Sequence, residues 1–217
     1  MKFVVSDGFD LHAFLAPGVR AIDPTGRLIP AEERPTLDGA PALIVLDLEM
    51  SGANALVHEI LDVGGVRAAI TEGFPEERSW GSRVRPRRIG NAEIGALKVV
   101  GYNPRDWRTA IEVEAAVNEL AELGRDAIVT GWGISGDLAF LAEAVRRLGI
   151  VWPFAPVALD VQGIAREVLA NGEVDRFNLG HVADRLGIGR MGEHGALADA
   201  YATYDVLVKL FERARGR

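Results

Sequence analysis

Residues 42–52 read Ala-Leu-Ile-Val-Leu-Asp-Leu-Glu-Met-Ser-Gly, an apolar run that ends in two acidic residues. The aliphatic residues at 43–46 lie between Pro41 and Gly52, which is typical of a buried β-strand. Because side chains alternate along a strand, Asp47 and Glu49 are expected on one face. Two buried carboxylates repel each other and lose solvation, so the pair predicts a divalent cation between them. If the strand instead ended at residue 46, both acids would lie in a solvated loop.

Length and composition narrow the class of protein. A chain of 217 residues with 48% hydrophobic and 25% charged residues predicts one globular core. The absence of cysteine excludes disulfides, thiolate metal sites and thiol catalysis. No stretch approaches the roughly 20 apolar residues of a membrane span, so we expect a cytoplasmic protein with no membrane partner. The net charge of −7 argues against a basic surface that coats nucleic acid, but it leaves room for recognition of a strand end.

The order of predicted elements indicates an α/β fold. Glycine and proline interrupt residues 1–40, which predicts an N-terminal extension with one short strand at 2–5. The other predicted strands are 43–46, 58–70 with a bulge at Gly64-Gly65, 78–84, 127–132 and 157–159, and the predicted helices are 107–123, 137–148, 161–170, 179–186 and 196–213. Sequential strands followed by alternating strands and helices predict a mixed sheet with helices on its faces.

Two further acids and a histidine occur later in the chain. Asp137 follows a glycine-rich turn after a predicted strand, where it could cap a helix or join a ligand site at the sheet edge. Asp199 lies beside the apolar stripe of the last helix and can look toward the sheet. His194 precedes it by five residues, and five helical steps would turn it about 140° away. His194 is therefore expected in the loop ahead of the helix if both residues reach one site.

Taken in order, Asp47-x-Glu49-x-Ser51-Gly52, Gly136-Asp137 and His194 with Asp199 resemble the motifs of the DEDDh exonuclease superfamily. The resemblance covers residues 41 to about 212. It implies that residues 41–217 form an exonuclease domain with a ribonuclease-H-like mixed sheet and helices on both faces. It also implies a metal-dependent 3′-5′ exonuclease that acts on the 3′ end of single-stranded DNA or RNA. A homodimer is a further expectation.

The resemblance also implies a role for each motif residue. Asp47 would bridge two divalent cations, Mg²⁺ or Mn²⁺; Glu49 and Asp199 would hold the one that carries the nucleophilic water, and Asp137 would support the other. His194 would be the general base. Met50, Ser51 and Gly52 would contact the substrate. These roles agree with general chemistry, because both ions prefer oxygen ligands and histidine titrates near neutrality.

Two alternatives to an active exonuclease stay open, and departures from the superfamily pattern favour the first of them. Trp132-Gly133 and Gly136 stand where many members have His-Asn and an aromatic residue, and Ala53 stands where an apolar wedge is common. The first alternative is therefore a catalytically weak or inactive nucleic-acid-binding module of the same fold. The second is a phosphoesterase that acts on a small molecule. A basic cluster, Arg83, Arg85, Arg87 and Arg88, either contacts phosphate or forms a solvated turn.

Overall fold

One six-stranded mixed sheet organises the computed structural model, which describes residues 8–30, 37, 40–169, 174–189 and 195–216. Its strands are β1 (Val19–Ala21), β2 (Ala42–Met50), β3 (Ile60–Ala69), β4 (Glu76–Arg83), β5 (Ile128–Gly131) and β6 (Val157–Asp160), in the order β1-β6-β5-β2-β3-β4. Strand β2 runs antiparallel to β3 and parallel to β5, and β5 runs parallel to β6. The carboxyl ends of β2, β5 and β6 therefore share one edge of the sheet.

Helices cover both faces of the sheet. They are α1 (Leu11–Leu15), α2 (Ile94–Val100), α3 (Val113–Leu123), α4 (Ser135–Leu148), α5 (Val161–Val168), α6 (Leu179–Arg185) and α7 (Ala196–Arg215). One core lies between the sheet and α1, α5, α6 and α7, and a second lies between the opposite face and α3 and α4. The predicted α/β class with helices on both faces is confirmed.

Strand β2 lies between the two cores, and its alternation determines the face of the sheet on which Asp47 and Glu49 lie. Leu43 and Val45 belong to the core under α7, whereas Ile44, Leu46 and Leu48 belong to the core under α4. The strand continues to Met50, and its register pairs Asp47 with Gly64 and Glu49 with Asp62. Both acids thus extend the row of side chains that faces α7. The alternative in which the strand ends at residue 46 is wrong.

Part of the N-terminal region contributes to the fold. Strand β1 adds an antiparallel edge strand next to β6, and α1 buries Leu11, Phe14 and Leu15 in the core under α7. These segments are three and five residues long, too short for a periodic pattern to reveal them. The predicted strand at 2–5 falls outside the described residues. The division of the chain at residue 40 remains a prediction.

Two local predictions are wrong. Helix α3 begins at Val113 rather than at Trp107, which lies in a short 3₁₀ turn and donates its indole N–H to the carbonyl of Leu61 at 2.9 Å. The Gly64-Gly65 pair forms no bulge, since the register of β3 shifts only beside Met50 and at Ala68. The glycines instead allow close packing, which is described with the site below. The sequence also did not indicate α2.

Among the described helices, none is both long and apolar enough to cross a membrane.

Candidate active site

Three carboxylates meet where the end of β2 faces the start of α7. Asp47 and Glu49 come from the strand and Asp199 from the helix, and one carboxylate oxygen of each lies within 4.8 Å of the others. All three residues are half-buried, so solvent can reach the cluster. An all-oxygen donor set of this kind suits hard divalent cations. The structure therefore brings three of the four predicted metal ligands into one candidate metal site.

Asp137 reaches the same region from α4. Its Oδ1 accepts a hydrogen bond from the backbone N–H of Leu48 at 2.9 Å, although the two residues are 89 positions apart. Leu48 lies beyond Val45, the last residue of β2 that pairs with β5, so the acid satisfies a backbone donor that the neighbouring strand does not reach. Ile134, not Asp137, is the N-cap of α4. The helix-cap interpretation of Asp137 is therefore wrong.

Burial and mutual repulsion act on these acids together. Burial raises the pKa of Asp47 well above its usual value, and the charges of Asp137, Glu49, Asp199 and Asp62 raise it further. Burial likewise raises the pKa of Asp137 to about 7, while the hydrogen bond from Leu48 acts in the opposite direction. Such crowding disfavours the ionised forms, and a bound cation would reverse that preference. The cluster thus fits a metal site by its electrostatics as well as by its donor atoms.

Asp62 is a further acid at the site, and no sequence motif marked it. It lies opposite Glu49 of β2 and opposite Arg83 of β4 in the register of the sheet. Burial raises the pKa of Asp62, whereas the nearby backbone N–H groups of Val63 and Ala196 and the charge of Arg83 lower it. An acid inside a predicted strand, two residues before Gly64 and so on the same face, was the available signal.

Two glycines let α7 rest directly on the sheet beside Asp47. Gly64 pairs with Asp47 on one side and with Gly81 on the other. A methyl group at Gly64 would lie 2.2 Å from the backbone nitrogen of Leu197, and one at Gly81 would lie 2.9 Å from the Leu197 Cβ. No other residue allows this approach. By admitting α7 this close to the sheet, Gly64 and Gly81 bring Asp199 within reach of β2.

His194 belongs to residues 190–194, which lie outside the described residues. Its position as general base therefore remains a prediction.

The residues predicted to contact substrate begin the loop that follows the first two acids. Ser51 is buried, and its Oγ accepts a hydrogen bond from the N–H of Glu59 at 2.8 Å, so this hydroxyl holds the loop. A side chain at Gly52 would lie 2.4 Å from the ring of His58. Met50 is half-buried, and its Cε lies 3.7 Å from where a Gly136 side chain would begin. Their contacts with substrate remain predictions.

The loop at 51–58 is braced from two sides. Glu93 accepts a hydrogen bond from the N–H of Ala53 at 3.3 Å and lies 3.6 Å from His58 Nε2. On the other side, Arg147 of α4 donates to the carbonyls of Leu56 and Ala55 at 2.8 and 3.3 Å. Leu56 is nevertheless 63% exposed. The loop therefore presents an apolar side chain to solvent on a fixed backbone.

Glu143 holds the arginine that contacts this loop. Its carboxylate binds Arg147 at 2.7 Å and Arg146 at 2.7 and 2.8 Å. These bonds lower the pKa of Glu143 to about 2 from the usual 4.5. Since its folded-state pKa is depressed, its stabilising contribution is present above pH 4.5 and is lost as the pH falls toward 2.

We expect Glu143→Gln to lower the free energy of unfolding by about 1–2 kcal/mol at pH 7. This value is kept small because Arg146 and Arg147 are exposed and solvent screens their ion pairs with Glu143. The deficit should shrink as the pH is lowered from 5 to about 3. Urea denaturation at several pH values measures this, with the exposed Glu119→Gln as control. A deficit that stayed constant across that range would contradict the prediction.

The basic cluster is largely neutralised by acids around the start of α3. Arg85 lies 3.0 Å from Glu112, and Arg87 lies 2.9 and 2.8 Å from Glu112 and Glu114. Arg83 instead stacks on an indole ring, 4.6 Å from its centroid. These pairings favour the solvated-turn alternative over phosphate contact.

Comparison with known proteins gives a family match and several relatives. The exonuclease family model matches residues 44–207. The DNA polymerase III subunit epsilon of Aquifex aeolicus is 27% identical over 81% of this chain and 82% of its own length. The PolC-type DNA polymerase III of Thermotoga maritima is 23% identical over 80% of this chain. The chain spans only 12% of that polymerase.

Among solved structures, Escherichia coli exonuclease I in complex with a dT13 oligonucleotide superposes with a TM-score of 0.69 at 17% identity. The match covers 81% of this chain and 42% of exonuclease I. This likeness confirms the predicted fold.

Proposed function

Because this chain belongs to the exonuclease family, we propose that it is a 3′-5′ exonuclease that hydrolyses phosphodiester bonds at the 3′ end of single-stranded nucleic acid. The observation that carries the proposal is the convergence of Asp47, Glu49 and Asp199 within 4.8 Å. The oligonucleotide in the exonuclease I structure, dT13, supports a single-stranded substrate.

The site residues divide into ligands and a base. Asp47, Glu49, Asp137 and Asp199 would hold two divalent cations, Mg²⁺ or Mn²⁺, with Asp47 shared between them. When bound, such a pair of cations stabilises negative charge on the attacking and leaving oxygens of a phosphodiester. His194, as the free imidazole, would accept a proton from the attacking water, and the departing 3′ oxygen would be protonated in turn. Met50, Ser51 and Gly52 would border the terminal nucleotide.

The direct test is digestion of a 5′-labelled single-stranded oligonucleotide. We expect a ladder of progressively shorter labelled products with Mg²⁺ or Mn²⁺ and no products with EDTA, since the acid cluster lacks a catalytic role without its cations. Matched DNA and RNA strands determine the sugar preference. A circular single strand, which has no end, is the control and should stay intact. Immediate release of the label as a mononucleotide would contradict the 3′-5′ direction.

A second candidate function is a nucleic-acid-binding module of the same fold with weak or no catalysis. It is favoured by the commitment of the Ser51 hydroxyl to the loop, together with Ala53 in place of an apolar wedge. Fluorescence anisotropy of a labelled strand with Mn²⁺, followed on the same sample by gel analysis, separates the two candidates. Binding without product would favour the module.

The homodimer and the cytoplasmic location expected from the sequence remain predictions.

A further inference from the structure

His58 closes the loop at 51–58 on itself. The carbonyl of Asn54 accepts hydrogen bonds from the backbone N–H groups of Val57 at 3.0 Å and of His58 at 2.8 Å. The His58 ring forms a bond in the opposite direction, because its Nδ1 accepts from the backbone N–H of Asn54 at 2.9 Å. Asn54 and His58 are therefore joined twice, and one of the two bonds depends on the imidazole.

The same ring supports the chain just after the first acidic pair. A Cβ atom at Gly52 would lie 2.4 Å from both Nδ1 and Cε1 of His58, so the imidazole packs directly against the Gly52 backbone. The His58 side chain is only 9% exposed, whereas Ala53 and Asn54 are exposed. Residues 52–54 thus rest on the imidazole while the middle of the loop stays open to solvent.

These contacts define the protonation state of His58. Because Nδ1 accepts from a backbone N–H, it carries no proton, and the proton of the neutral ring lies on Nε2. Nε2 lies 3.6 Å from Oε1 of Glu93. A second proton on Nδ1 would set two donors against each other and break the bond from Asn54. The loop is therefore fixed in this way only while His58 is neutral.

The charged groups around His58 are balanced in number. The ring lines a cavity of about 310 Å³, whose charged side chains are four arginines and three glutamates: Arg85, Arg87, Arg88, Arg147, Glu59, Glu114 and Glu143. Glu93, at the start of α2, adds a fourth carboxylate. Glu93 favours a protonated ring, whereas the bond from Asn54 opposes protonation. Protonation therefore strengthens the pairing with Glu93 at the expense of the bond that fixes residue 54.

We propose that neutral His58 is a positioning residue that holds residues 52–54 in the path that the terminal nucleotide requires. The inference rests on the proposed function in placing the end of the strand beside Gly52. His58 acts through the Gly52 backbone and the Asn54 N–H rather than by contact with the reacting atoms.

Two substitutions in the full chain test this role. His58→Asn places an amide oxygen near the position of Nδ1, so it keeps an acceptor for Asn54 and does not titrate. His58→Phe keeps a ring against Gly52 but offers no acceptor. With a labelled single-stranded oligonucleotide and Mn²⁺, we expect His58→Phe to raise KM by about fivefold, in keeping with the loss of one hydrogen bond, and His58→Asn to keep KM within about twofold. The same substitutions at His181, which is exposed in α6, are the controls and should leave KM unchanged.

The pH dependence of KM is a readout that packing alone would not alter. Histidine gains its proton as the pH falls from about 8 to 5, so KM of the wild type should rise over this range relative to KM of His58→Asn. The general base and the acid cluster are common to both proteins, so their titration cancels in the ratio of the two KM values. A ratio that stayed constant over this range would overturn the proposal.

Hydrogen exchange at the Asn54 amide reports the bond without substrate. At one neutral pH we expect slower exchange in the wild type and in His58→Asn than in His58→Phe. Equal exchange in all three proteins would overturn the role of His58, as would a His58→Phe protein with the KM of the wild type. If His58→Phe does not fold, the pH dependence of the KM ratio still decides the question.

Failure of this role and failure of the proposed function give different results. A wild-type protein that bound the labelled strand but cleaved nothing would refute the proposed function, and dissociation constants from fluorescence anisotropy would then replace KM in the same comparisons. Active His58 variants with unchanged KM and unchanged exchange would refute the role of His58 alone.

Discussion

Asp47→Asn is expected to abolish hydrolysis of a single-stranded oligonucleotide while leaving the protein folded. Asp47 is the acid on which the charges of Asp137, Glu49, Asp199 and Asp62 all act, so it lies at the electrostatic centre of the site. Asparagine has nearly the same shape but carries no negative charge to hold a cation. We expect turnover to fall by about 10³-fold or more, because metal stabilisation of the transition-state charge is worth several kcal/mol.

The same substitution relieves repulsion when no cation is present. We therefore expect the thermal midpoint of Asp47→Asn in EDTA to equal or exceed that of the wild type, and added Mn²⁺ to raise it less than in the wild type. Asp126→Asn is the matched control, since Asp126 is exposed and precedes β5 at the opposite edge of the sheet. An Asp47→Asn protein with activity within threefold of the wild type would remove the assignment of this site.

Gly64→Ala is expected to damage the site without touching any acidic residue. The added methyl group would lie 2.2–2.4 Å from backbone atoms of residues 196 and 197, and backbone cannot swing aside as a flexible side chain can. Helix α7 must therefore move off the sheet and take Asp199 with it. We expect a loss of about 1–3 kcal/mol in the free energy of unfolding, as for other overpacked cores. We also expect Mn²⁺ affinity to fall by about tenfold or more.

Urea denaturation and Mn²⁺ titration measure the two effects of Gly64→Ala. Gly90→Ala is the matched control, because a methyl group there meets nothing within 4 Å and the backbone needs no left-handed conformation. If the Gly64 variant kept wild-type stability and Mn²⁺ affinity, the close approach of α7 would not be needed to build the site.

The acids that could be predicted from the sequence are those marked by a local pattern. Strand alternation placed Asp47 and Glu49 on one face, and the apolar stripe of the last helix indicated which way Asp199 could look. Asp62 had the same alternation but no neighbouring motif. Its place at the site appears only when the register of the sheet sets it opposite Glu49.

The wrong and missed predictions share a cause. A glycine pair, a single acid or a segment of three to five residues is compatible with several local structures, and only its tertiary contacts decide among them. Gly64-Gly65 is compatible with a bulge or with close packing, and only the helix above it distinguishes the two. Asp137 likewise resembles a helix cap until its hydrogen bond from the distant N–H of Leu48 is known. β1 and α1 owe their structure to the sheet edge and core they join, so no periodicity revealed them.

Helix α4 has a consequence for how this protein could be re-engineered. Its first turn ties Asp137 to the backbone of Leu48, and its last turn ties Arg147 to the carbonyls of Ala55 and Leu56. Helix α4 therefore sets the distance between Asp137 and the loop at 51–58. Because Arg147 donates to main-chain oxygens of this loop, replacement of the exposed Leu56 side chain should leave both hydrogen bonds in place.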